Sequence, residues 1–266
     1  MRIRATVAAV SGALVLSAFA VPAAQAVGNT AAATLNVTFS KVKVNSGKAV
    51  VVGATAKVAV PVTYTVTHAA SLDVSADNFA SGPLIYRGTD AASTTTKIIS
   101  DDPGTCTAAS TTVLNCKATI YIRPTSDLLN TDAATWKAGG LAITADGTKK
   151  TQGDLGNVPV RRLSKLTADA TPEPVKKGKT ITVTGKLSRA NWETNKYAGY
   201  STQPVKLQFR KKGASTYTTV KTIKTSSTGT LKTTVKATVD GYFRYSFAGT
   251  STTPAVNATG DYVDVK

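Results

Sequence analysis

Hydrophobic and polar residues alternate with a period of two through nearly all of the chain after Thr34. This alternation predicts half-buried β-strands, and helical periodicity is hard to find. Two runs show this most clearly, with apolar residues at every second position: Val58, Val60, Val62, Tyr64 and Val66, and later Leu114, Cys116, Ala118, Ile120 and Ile122. Short runs of this kind, separated by Gly, Pro and Ser turns, predict an all-β fold.

The first run changes parity near Ser40. Its apolar positions are Leu35, Val37 and Phe39 before that point, and Val42 and Val44 after it. Because side chains in a strand point alternately to opposite faces, the change predicts a bulge or kink, such as a first strand that crosses between two sheets.

The chain divides near residue 162. Arg161-Arg162-Leu163-Ser164 leads into Thr171-Pro172-Glu173-Pro174, and the strand pattern then starts again. About seven short strands after this join are typical of an immunoglobulin-like sandwich. Residues 163–266 therefore form a predicted C-terminal sandwich. A similar pattern predicts a second Ig-like sandwich over residues 27–162, with Asp132 to Trp136 as a corner before one of its last strands.

Residues 1–26 have the form of a secretory signal peptide. Arg2 and Arg4 precede an uncharged run from Thr6 to Val21, and Ala24-Gln25-Ala26 supplies small residues for cleavage. The apolar run is short for a membrane span. We therefore expect a secreted, extracellular protein made of two Ig-like sandwiches in tandem, with no transmembrane segment in the mature chain.

The two cysteines, Cys106 and Cys116, are expected to form a disulfide, since exported proteins meet an oxidising compartment. Cys116 lies on the inward parity of its strand, which suits a buried structural bond. Asp101-Asp102-Pro103-Gly104 predicts a turn just before Cys106.

The segment Val239 to Tyr245 resembles the tyrosine corner that enters the penultimate strand of Ig-like domains. Together with Lys179–Leu187, Pro204–Arg210 and Gly241–Pro254, it is similar to the C-terminal Ig-like module of secreted actinobacterial proteins of unassigned function. Some of those proteins are labelled calcium-binding. Unlike antibody domains, this half of the chain has no cysteine.

A calcium site needs six to eight oxygen ligands close together. The nearest candidates are Asp101 with Asp102, Asp73 with Asp77, and Asp261 with Asp264, and none forms a DxDxDG loop. From the residues alone we expect no metal site and no cofactor, while the resemblance keeps calcium binding open as an alternative.

Sequence signatures of common catalytic sites are missing: there is no HExxH, GxSxG or Walker loop. The only histidine, His68, continues an inward strand parity and is expected to be a packed residue. We therefore expect no enzyme and no catalytic residue.

The charge is strongly uneven. The full chain carries +17, and residues 163–266 hold 17 Lys/Arg against 6 Asp/Glu. Lys206, Arg210 and Arg244 share an outward parity, with Lys211 and Lys212 beside them, and they predict a patch for an anionic wall polymer or polysaccharide. Lys186, Lys232 and Lys236 take the outward parity of the other sheet, so charge could instead serve solubility alone.

The segment from Arg189 to Gln203 is long for a sandwich connection. It carries Trp192, Tyr197 and Tyr200, which predict a stacking surface for sugar or peptide beside the Ala248–Ala258 loop. The alternative is a self-packed loop that caps the sandwich.

The function expected from the sequence is thus non-catalytic binding or scaffolding at the cell surface or outside the cell. Recognition of carbohydrate or peptide through Trp192 and calcium binding are the alternatives. Nucleic acid is disfavoured as a partner, because aromatic residues make up only 6% of the chain.

Overall fold

The computed structural model describes residues 35–266, so the predicted signal peptide lies outside the described residues. Nearly all regular structure in the described part is β. The strands of the first half are β1 (Val37–Val44), β2 (Val50–Val52), β3 (Val58–His68), β4 (Phe79–Tyr86), β5 (Lys97–Ile99), β6 (Thr105–Ser110), β7 (Val113–Ile122), β8 (Thr135–Thr144), β9 (Lys149–Gln152) and β10 (Asn157–Arg162). The second half contains β11 (Ser164–Leu166), β12 (Asp169–Thr171), β13 (Thr180–Asn191), β14 (Lys196–Gly199), β15 (Pro204–Lys211), β16 (Thr218–Lys224), β17 (Thr230–Lys236), β18 (Gly241–Phe247), β19 (Val256–Asn257) and β20 (Asp261–Val263).

Helical structure in residues 35–266 is limited to α1 (Pro124–Asp127) and two 3₁₀ turns, Asn45–Gly47 and Asn130–Asp132. Over the same range, no helix has the length and apolar character needed to cross a membrane.

Strands β1 to β10 form the N-terminal sandwich. One sheet has the order β1-β3-β7-β6, and the facing sheet has the order β2-β10-β8-β4-β5, with β9 added beside β8. This is the immunoglobulin arrangement, in which strands A-B-E-D face G-F-C-C′. Apolar side chains from both inner faces form a shared core that includes Phe39, Ile120 and Trp136.

The expected irregularity in the first strand is confirmed. The register of β1 against β3 shifts between Ser40 and Lys43, and Lys41 has a φ of 50°. The crossing between sheets follows later, through the Asn45–Gly47 turn, because β2 pairs in parallel with β10 of the opposite sheet. The parity change thus marks a bulge, and the crossing is a separate event.

Strands β11 to β20 form the C-terminal sandwich. Strand β13 pairs with β11, β12, β14 and β17 in one sheet, and the other sheet has the order β16-β15-β18, with β19 and β20 beside β18. The core lies between the two sheets and includes Ile181, Leu207 and Phe243. The chain thus passes from the N-terminal to the C-terminal sandwich between Arg162 and Ser164.

The corner at residues 239–245 differs from a tyrosine corner. The hydroxyl of buried Tyr245 donates across the sandwich to the carbonyl of Val183 at 2.8 Å, instead of to backbone just upstream. Asp240 fixes the corner: its Oδ1 accepts from the Val265 amide at 2.9 Å, and its Oδ2 accepts from the Tyr262 hydroxyl at 3.2 Å.

Candidate binding face of the C-terminal sandwich

The predicted basic residues lie together on the outer face of one sheet. Strands β15 and β18 are neighbours whose register sets Lys206 opposite Ser246, Gln208 opposite Arg244, and Arg210 opposite Tyr242. The alternate residues Leu207 and Tyr245 are fully buried. Since side chains alternate along a strand, the shared outward parity of Lys206, Arg210 and Arg244 is confirmed.

The two arginines pack against tyrosine rings. The guanidinium carbon of Arg244 lies 3.8 Å from the ring centroid of Tyr217, and that of Arg210 lies 5.2 Å from the same ring and 4.3 Å from Tyr242. Arg244 Nε also donates to Gln208 Oε1 at 2.9 Å, and Arg210 Nη1 donates to the Ala214 carbonyl at 2.6 Å. These contacts hold both guanidinium groups against the sheet.

Neither arginine is neutralised by a carboxylate. Over residues 35–266 the salt bridges involve other cations, and none includes Arg210 or Arg244. Each guanidinium therefore keeps N–H donors that can bind an external carboxylate, sulfate or phosphate group in a bidentate fashion.

The lysines of this face differ in their surroundings. Lys206 is exposed on the same outer face of the sheet as Arg210 and Arg244. Lys212 Nζ lies 5.4 Å from the Tyr262 ring centroid and 3.7 Å from Asp240 Oδ2. The pKa of Lys212 is raised, first by its interaction with the Tyr262 hydroxyl and then by the charge of Asp240. Lys212 is thus a firmly protonated cation at the end of the face.

Three residues of the face were missed by the sequence analysis: Tyr217, Tyr242 and Tyr262. Tyr242 could have been found, because it shares the outward parity of Arg244. Tyr217 could not, because it precedes β16 in a hairpin and its contacts with β15 and β18 depend on tertiary packing.

The outer face of the opposite sheet is also basic, as expected, but it lacks this arrangement. Lys186, Lys232 and Lys236 are exposed on β13 and β17. The residues opposite them in the register are threonines: Thr230, Thr184 and Thr180. The two faces therefore carry similar charge, but within residues 35–266 no aromatic ring lies against Lys186, Lys232 or Lys236, whereas Arg210 and Arg244 both pack against tyrosine rings.

The prediction of a long loop from Arg189 to Gln203 is wrong. Strand β13 runs on to Asn191 and pairs with β14 through a short turn, so this segment is a β-hairpin. Its tip carries Trp192, whose side chain is 2% exposed and joins the core of the N-terminal sandwich. Trp192 Nε1 donates to the Gly53 carbonyl at 2.9 Å, and the Trp192 amide donates to Asn130 Oδ1 at 3.1 Å. Trp192 therefore offers no open stacking surface.

The other aromatic residues of the hairpin are half-buried. The centroid of the Tyr197 ring lies 3.9 Å from Lys165 Nζ. Burial raises the pKa of the Tyr197 hydroxyl. The Tyr200 ring packs edge-on against Phe247, with the Arg189 guanidinium 3.9 Å from its centroid. Tyr200 thus lies beside the Ala248–Ala258 segment, where the sequence placed it. The structure does not join Tyr197 and Tyr200 with Trp192 into one exposed surface.

The expected disulfide is present. Cys106 and Cys116 are bonded on adjacent strands β6 and β7, and Cys116 is 2% exposed. His68 is also buried, with Nδ1 2.9 Å from the carbonyl oxygen of Ala69.

The carboxylates considered for calcium serve local contacts. Asp73 accepts from the Ser75 amide, which lowers its pKa, and Asp101 pairs with Arg123. Asp261 accepts from the Ala170 amide at 2.7 Å. Within residues 35–266, no three His, Cys, Asp or Glu side chains gather as potential metal ligands.

No family model matches the chain, and no curated protein matches it. Among solved structures, it is similar to latent PorU from Porphyromonas gingivalis at 11% identity and a TM-score of 0.30, over 86% of this chain and 20% of that one. The D00–D0 domain of intimin matches at 14% identity and a TM-score of 0.28, over 84% and 98% of the two chains. The Yersinia pseudotuberculosis adhesin InvE matches at 13% identity and a TM-score of 0.27, over 86% of this chain and 58% of that one. Nothing about the function of this chain follows from likeness at this level.

Proposed function

We propose that this chain is an exported, non-catalytic binding protein that holds anionic polymers of the cell envelope on the β15–β18 face. The observation that supports this proposal is the pair of arginines, Arg210 and Arg244, packed on Tyr217 without a carboxylate partner. The uneven charge supports it too, since residues 163–266 carry +11 from 17 Lys/Arg and 6 Asp/Glu. A field of this sign attracts polyanions from solution.

The two basic outer faces allow a matched experiment. Arg210 and Arg244 are diagonal neighbours on β15 and β18, and Lys186 and Lys232 are diagonal neighbours on β13 and β17. The double variants Arg210→Gln/Arg244→Gln and Lys186→Gln/Lys232→Gln therefore remove the same charge in the same spacing. Binding of each mature protein to immobilised polygalacturonate, polyglycerol phosphate and heparin is measured in a salt series.

We expect the arginine variant to bind about thirtyfold more weakly, because two charge-assisted contacts of roughly 1 kcal/mol each are lost. The lysine variant should change affinity less than about twofold, as for exposed charges. Wild-type binding should weaken as salt rises. Equal losses in both variants would show that total charge alone attracts the polymer, and no binding to any of the three would refute the proposal.

A further inference from the structure

Tyr217 lies across the outer face of the sheet. It precedes edge strand β16, yet its ring contacts Arg210 on β15 and Arg244 on β18. Its hydroxyl reaches Gly260, just before β20, where an added Cβ would overlap the hydroxyl oxygen. A single half-buried side chain thus spans the sheet from its edge to its far strands, and the absence of a side chain at Gly260 gives it room.

Cations and tyrosine rings form a continuous row that starts at this point. Tyr217 lies between the guanidinium groups of Arg244 and Arg210, and Arg210 also covers Tyr242. The Tyr242 and Tyr262 ring centroids are 5.2 Å apart, and Lys212 follows at 5.4 Å from Tyr262. We call this row the cation–tyrosine track; its members in order are Arg244, Tyr217, Arg210, Tyr242, Tyr262 and Lys212.

The cation–tyrosine track ends in a basic cleft of about 460 Å³. Lys212 lines this cleft together with Lys177, Lys211 and Lys266. The acidic side chain in the lining, Asp240, already accepts hydrogen bonds from Val265 and Tyr262. The cleft therefore continues the positive charge of the track beyond its last ring.

We infer that the cation–tyrosine track binds a linear polysaccharide whose carboxylates are attached directly to its sugar rings, that is, a polyuronate. This inference rests on the proposed function and names its ligand class. Each guanidinium carbon lies 3.8–5.2 Å from a tyrosine centroid, so the track suits a repeating unit whose anion and ring are adjacent. In a uronate the carboxylate is bonded to the ring carbon frame, and arginine binds carboxylates through paired donors.

Other polyanions fit the track less well. A nucleic acid separates each base from its phosphate by a sugar, so its ring and its anion lie farther apart than those of a uronate, in which the carboxylate is bonded to the ring. Poly-L-glutamate and polyphosphate offer anions without rings, so they would bind the arginines and bring no ring to the track.

The test compares polygalacturonate, poly-L-glutamate, polyphosphate and single-stranded DNA, matched in charge, for binding to the mature protein in about 150 mM NaCl. The variant Tyr217→Leu removes the ring, and Tyr217→Phe keeps it. Tyr121→Leu is the matched control, because the half-exposed Tyr121 ring lies 4.3 Å from Lys57 Nζ on the other sandwich. Thermal melts of each variant confirm that it is folded.

We expect polygalacturonate to bind best and to lose about fivefold in affinity with Tyr217→Leu, as for one aromatic contact. Tyr217→Phe should recover most of the affinity lost in Tyr217→Leu, because the ring is kept, and the control Tyr121→Leu should leave the affinity unchanged. Equal binding of poly-L-glutamate, together with no effect of Tyr217→Leu, would overturn the polyuronate inference and leave the charge-based proposal standing. Tighter binding of single-stranded DNA would also overturn it. Binding of none of the four would overturn the polyuronate inference, and binding to polyglycerol phosphate or heparin in the first experiment would then decide the charge-based proposal separately.

Discussion

Trp192 Nε1 donates a hydrogen bond to the backbone carbonyl of Gly53 at 2.9 Å, although the two residues belong to different sandwiches. Arg162 adds to the same joint: its side chain is 7% exposed, and its Nε donates to the Ala190 carbonyl at 2.5 Å. Burial, and then the charge of Arg189, lower the pKa of Arg162 to about 10. The Leu163 amide, on the connecting segment, donates to the Val52 carbonyl at 2.9 Å. The tip of the hairpin thus serves to fix the two sandwiches together.

The first prediction is that Trp192→Ala destabilises the full chain by about 3–5 kcal/mol, the usual cost of removing a buried aromatic side chain. Trp192→Phe keeps most of the apolar contact and should lose less, about 1–2 kcal/mol, through the missing hydrogen bond to Gly53. Chemical denaturation measures both. An unchanged free energy of unfolding in Trp192→Ala would contradict the buried position, and a specific loss of polymer binding would restore the aromatic-surface hypothesis.

The sequence predicts what depends on alternation along one strand. It placed Cys116 inward and Lys206, Arg210 and Arg244 outward, because burial on a sheet has a period of two. It failed at Trp192, since nothing in one segment tells whether an aromatic residue faces solvent or another sandwich. It also missed that Tyr217 lies across β15 and β18 and reaches Gly260, a packing outcome with no local signal.

The second prediction concerns Tyr245, whose hydroxyl links the two sheets of the C-terminal sandwich through Val183. Tyr245→Phe should lower the free energy of unfolding by about 1 kcal/mol at neutral pH. Burial raises the pKa of Tyr245. The folded protein therefore holds this proton where the unfolded chain begins to lose it, so stability should fall as pH rises above about 10. A difference between wild type and variant that stays constant up to strongly alkaline pH would count against this linkage.

The third prediction concerns acid stability and Asp240. Its pKa is lowered, first by the hydrogen bond from the Val265 amide and then by the Tyr262 hydroxyl and Lys212, although partial desolvation opposes the shift. A carboxyl with a lowered folded pKa stabilises above its unfolded pKa of about 4, and this contribution is lost as pH falls through the folded value. Asp240→Asn should thus melt below wild type at pH 7, and the gap should close in acid.

Asp102→Asn is the matched control for Asp240, because Asp102 is exposed and its side chain carries the same charge. Its melting temperature should follow that of wild type from neutral pH into acid. A gap between Asp240→Asn and wild type that persists unchanged below the unfolded pKa would show that the asparagine acts through packing instead of through charge.

The last prediction concerns the disulfide between Cys106 and Cys116. Strand β6 lies at the edge of its sheet and pairs with β7, and most of its residues are exposed, so few buried side chains hold it in place. The bond closes a short loop, and its removal in Cys106→Ala/Cys116→Ala should destabilise the chain by somewhat less than about 3 kcal/mol. Because the lost constraint is local, hydrogen exchange should accelerate first at the β6 amides, while the amides of β15 and β18 in the other sandwich keep their protection. Two reactive thiols in the denatured, unreduced wild type, or uniform acceleration across both sandwiches in the variant, would contradict this account.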